Sequence, residues 1–94
     1  MTAAVMERER FEADQDAALC EQLVSDFGAI RGRVLPDGSI ALIGDLLFTR
    51  AIYLGVSRTG WANRFCFEDR RLAMLRFDEL GSETDEPLGY VARR

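Results

Sequence analysis

The side chains best suited to covalent or acid–base chemistry in this chain are two cysteines and a few adjacent carboxylates. Cys20 and Cys66 are not spaced as a metal-binding pair. A catalytic thiolate needs a neighbouring base or cation, most often histidine, and the sequence contains no histidine. That absence also removes the commonest metal ligand and the usual switch near neutral pH. Cys20 lies among apolar residues at helical spacing and Cys66 within an aromatic strand, so both read as small, reduced core hydrophobes. The pairs Glu68-Asp69 and Asp78-Glu79 could in principle move protons. Neighbouring residues on a helix do not face each other, however, so these pairs read as caps and solvated charge. The eight glycines are scattered at turns and there is no lysine, so no phosphate-binding loop is present. The expectation is a non-enzymatic protein with no catalytic, metal or cofactor-binding residues.

Charge gives a second set of candidates. The 94 residues include 16 acidic and 12 basic side chains, a formal charge of -4, and every basic residue is arginine. Residues 1–27 hold seven acids against two arginines, residues 28–67 two against five, and residues 68–94 seven against five. An acidic head therefore precedes a mildly basic middle. Glu9, Glu12, Asp14, Asp16 and Glu21 form the candidate partner-binding set, since such a surface can steer towards a basic groove. The alternative set is Arg31, Arg33, Arg50, Arg58 and Arg64, near Tyr53 and Trp61. These could make a cationic stacking surface for nucleic acid. Net negative charge argues against the alternative, because such affinity comes from neutralising phosphates.

The elements that must carry these residues follow from periodicity. Ala17, Cys20, Val24 and Phe27 recur at helical spacing, which predicts a helix over 14–27 with Asp14 as N-cap and Gly28 just past its end. Extended backwards, that helix puts Glu9, Glu12 and Asp16 on the core-facing arc. Either it starts near Asp14 or its first turns project beyond the core; residues 1–13 are exposed or frayed. Ile30 and Val34 alternate with Arg31 and Arg33, predicting a strand with its arginines outward. Pro36-Asp37-Gly38 signals a turn, and Ile40 to Ile43 a return strand. Gly44-Asp45 reads as a turn or a bulge, with one or two more strands drawn from Leu46 to Ser57. Trp61, Phe65 and Phe67 share one strand face, the best core candidate. Asp69 caps a second helix over about 70–80, with Ala73, Met74, Phe77 and Leu80 inward and Gly81 ending it. Residues 82–94 form a loop and tail, with a short edge strand in Leu88 to Val91. The fold class is α+β in two layers: an antiparallel three- to four-stranded meander flanked by an N-terminal and a C-terminal helix.

The content of 48% hydrophobic residues suits one globular domain, 1–94. No apolar run is long enough for export or for spanning a membrane, so a cytoplasmic protein is expected. The sequence leaves homodimerisation through a strand edge open. Residues 61–94, with Arg64-Phe65-Cys66-Phe67, a helix containing Leu72, Ala73 and Phe77, and Glu86-Pro87-Leu88-Gly89-Tyr90 before a terminal arginine pair, resemble small phage and prophage proteins. Phe65 and Phe67 stand where tyrosine is usual in that group, and Leu80 where tryptophan is. The resemblance implies a mobile-element inhibitor of a host defence or nucleic-acid-handling complex, anti-CRISPR proteins being one such class. It brings no catalytic residues. The function expected is binding and blocking of a host protein or complex with a basic surface, and the alternative is a small nucleic-acid-binding regulator using the central arginines.

Overall fold

The computed structural model describes the backbone of residues 2–94 and the side chains of residues 15–94. The first element is one helix, α1 (Thr2–Phe27). It runs straight through Asp14, which is therefore not an N-cap. Gly28 ends it with a φ of 66°. The amide of Gly28 donates to the Ser25 carbonyl and that of Ala29 to the Val24 carbonyl, a Schellman closure that needs a left-handed residue where glycine stands.

Five strands follow in meander order, β1 (Arg31–Val34), β2 (Ile40–Asp45), β3 (Arg50–Leu54), β4 (Asn63–Phe67) and β5 (Ala92–Arg93), each antiparallel to its neighbour. The helix α2 (Arg70–Glu79) lies between β4 and β5 in the chain. The fold is α+β as expected, with one strand more than the sequence indicates. The edge strand falls at Ala92–Arg93, beyond the Leu88 to Val91 segment. Gly44-Asp45 is neither turn nor bulge: β2 continues through both, and the hairpin loop is Leu46–Thr49, closed by the Leu46 amide on the Thr49 carbonyl.

The two helices lie on opposite faces of the sheet, making three layers where two were expected. The reason is visible in β2. Ile40, Ala41, Leu42 and Ile43 are all buried, and an unbroken apolar run means that both faces are covered. Ala41 and Ile43 join Ile52, Leu54, Phe65 and Phe67 beneath Ala73, Phe77 and Leu80 of α2. Ile40 and Leu42 join Cys20 and Leu23 of α1, with Val56. Three of the expected inward residues of α2 are buried and Met74 is half-buried.

Local reversals follow from the third layer. Arg31 and Arg33 sit opposite Ile43 and Ala41 in register, on the α2 face. Arg31 reaches Asp78 at 2.8 Å. Arg33 donates to the carbonyls of Phe77 and Leu80, closing the end of α2 where the last carbonyls lack helical partners. The cap residue there is Leu80 in extended conformation, not Gly81. Gly81 and Ser82 instead donate their amides to Asp85. Ile30 and Val34, expected inside, are exposed.

Candidate functional site

On the α1 face, that helix packs over β1 and shares its core with β2. Beside it, over β3 and β4, lies a layer of side chains. Tyr53 and Arg64 are register partners on adjacent strands. Trp61 precedes β4 and packs edge-on against Tyr53, their ring centroids 4.9 Å apart. Phe27, the last residue of α1, meets Trp61 at 6.3 Å, also edge-on. The Arg64 guanidinium lies over the indole, 5.6 Å from its centroid. Edge-to-face rings and a cation above an indole are favourable geometries. Trp61 remains 40% exposed and Phe27 37%, so the cluster forms a platform partly open to solvent. Beneath it Ala51 and Cys66, paired across β3 and β4, are buried.

Trp61 thus lies on the opposite face from Phe65 and Phe67, with which periodicity groups it. The strand begins only at Asn63. The alternation counted back from Phe65 fails across Ala62, whose amide bonds the Leu54 carbonyl.

The five arginines of the alternative set are not brought together. Arg31 and Arg33 serve α2. Arg50 lies on that same face in register and pairs with Asp45 at 2.8 Å. The pairing lowers the Asp45 carboxyl below its usual range and raises the Arg50 guanidinium. Arg64 belongs to the platform. Arg58, exposed in the turn before Trp61, lines an open groove of about 500 Å³ with Gln15, Asp16, Ala18, Leu19 and Gln22. By register Arg94 stands opposite Arg64, each accepting the other's amide proton at its carbonyl. On this face, then, Arg64 lies on β4 with Arg94 opposite it by register, while Arg58 stands apart in the groove beside α1.

Among the acidic candidates, Asp16 is half-buried in the Arg58 groove and Glu21 is exposed on the outer surface of α1. The side chains of Glu9, Glu12 and Asp14 lie outside the described residues. Both cysteines are buried and free. Burial, and secondarily the charge of Glu21, pushes the Cys20 thiol up, the wrong direction for a nucleophile.

A further feature escaped the sequence. The hairpin loop between β2 and β3 presents Leu47 and Phe48, each 82% exposed. A run of apolar residues without glycine, proline or asparagine reads as strand, so only the hydrogen-bond pattern identifies it as a loop.

No family model, curated protein or solved structure matches the chain. No helix among the described residues is long and apolar enough to cross a membrane.

Proposed function

We propose that this is a cytoplasmic contact protein whose acidic N-terminal helix addresses a basic surface on a partner protein or complex and blocks it. An inhibitor of a host defence or nucleic-acid-handling complex, encoded by a mobile element, would act in this way. The resemblance of residues 61–94 supports the mobile-element part.

The observation that carries the contact reading is the length and continuity of α1. Its 26 residues make a rod of about 39 Å at 1.5 Å per residue. Five strands span only about 19 Å across the sheet, and a six-residue strand about 20 Å. The helix is therefore longer than the sheet in either direction. It is anchored by Cys20 and Leu23 near its C-terminal end, so the overhang falls on the half that bears Glu7, Glu9, Glu12 and Asp14. A stiff acidic arm loses little conformational freedom on binding and steers by charge.

The test is affinity capture from the native host with the wild-type chain and a Glu9→Gln/Glu12→Gln/Asp14→Asn variant. The variant is expected to bind the captured partner at least about tenfold more weakly at low salt and to melt at the same temperature. Unchanged affinity would remove the electrostatic arm from the reading.

The meeting of Tyr53, Trp61 and Arg64 favours a second reading, in which bases of a single strand stack on the platform. A low-salt gel-shift titration separates the two. Retention of an oligonucleotide that quenches Trp61 emission and vanishes steeply with salt would replace the first reading by the second.

A further inference from the structure

We draw no further inference here: the strongest candidate, the exposed apolar patch of Leu47 and Phe48 on the loop between β2 and β3, carries nothing because nothing in the structure shows what covers it.

Discussion

Asp37 ties together two turns that are distant in the chain. Its Oδ1 accepts from the amide and hydroxyl of Ser39, fixing the turn between β1 and β2, and its Oδ2 accepts from the Glu83 amide at 2.9 Å. These bonds, led by the Ser39 hydroxyl and then the Glu83 amide, lower its carboxyl from 3.8 to about 2. The bonds favour the ionised form, so the folded state binds this proton less readily than the unfolded chain. Their contribution is fully present above the unfolded value and is lost as pH falls through the folded one. An Asp37→Asn variant removes the titrating group. The gap in melting temperature between wild type and variant should therefore narrow as pH drops from about 4 to about 2. A gap constant over that range would show that Asp37 acts only through its shape. Pro36-Asp37-Gly38 was legible as a turn, and Gly38 does take a φ of 85°. The bond to Glu83 was not legible, because nothing local in sequence connects residues so far apart.

Among the elements, those announced by local chemistry were legible. Asp69 accepts from the amides of Arg71 and Leu72, both at 3.0 Å, as a residue placed just before a helix should. Gly28 closes α1 as expected. Assignments that depended on knowing which face is covered went astray. Alternation in Ile30 to Val34 shows that the side chains divide between two faces, but not that the arginines face a helix. The arginines turn towards α2 because its end offers carbonyls and Asp78. The seam between α1 and β1 offers a sharper test. Gly32 faces α1 so closely that a Cβ there would lie 2.7 Å from both Cys20 Sγ and Val24 Cγ2 and 2.9 Å from Leu42 Cδ2. Gly32→Ala must push the helix off the strand, at a cost of about 1–3 kcal/mol. Hydrogen exchange should show the loosening in the residues of α1 that pack on the sheet, with α2 unaffected. A uniform loss of protection throughout the sheet would instead mean that the two layers unfold as one unit.

At the scale of the molecule, the long axis of 51 Å against 24 and 20 Å gives the chain two distinct ends. Residues 15–22 of α1 and Arg58 lie at one, with the acidic arm beyond them. The other carries the β2–β3 loop with Leu47 and Phe48. The base of that loop is closed by Asp45 and Arg50, which satisfy each other, so the loop needs no help from its two large apolar side chains. Isolated exposed hydrophobic residues are ordinary, but two adjacent ones on a protruding loop form a patch that a partner can cover. A Leu47→Ser/Phe48→Ser variant separates packing from presentation. Folding stability should stay within about 0.5 kcal/mol of wild type, because surface changes away from packed features cost little. Retention on a hydrophobic column and binding of an apolar dye should both fall. If the melting temperature instead dropped by several degrees, the pair would be part of the fold, and the loop end would have to be regarded as scaffold and not as contact surface.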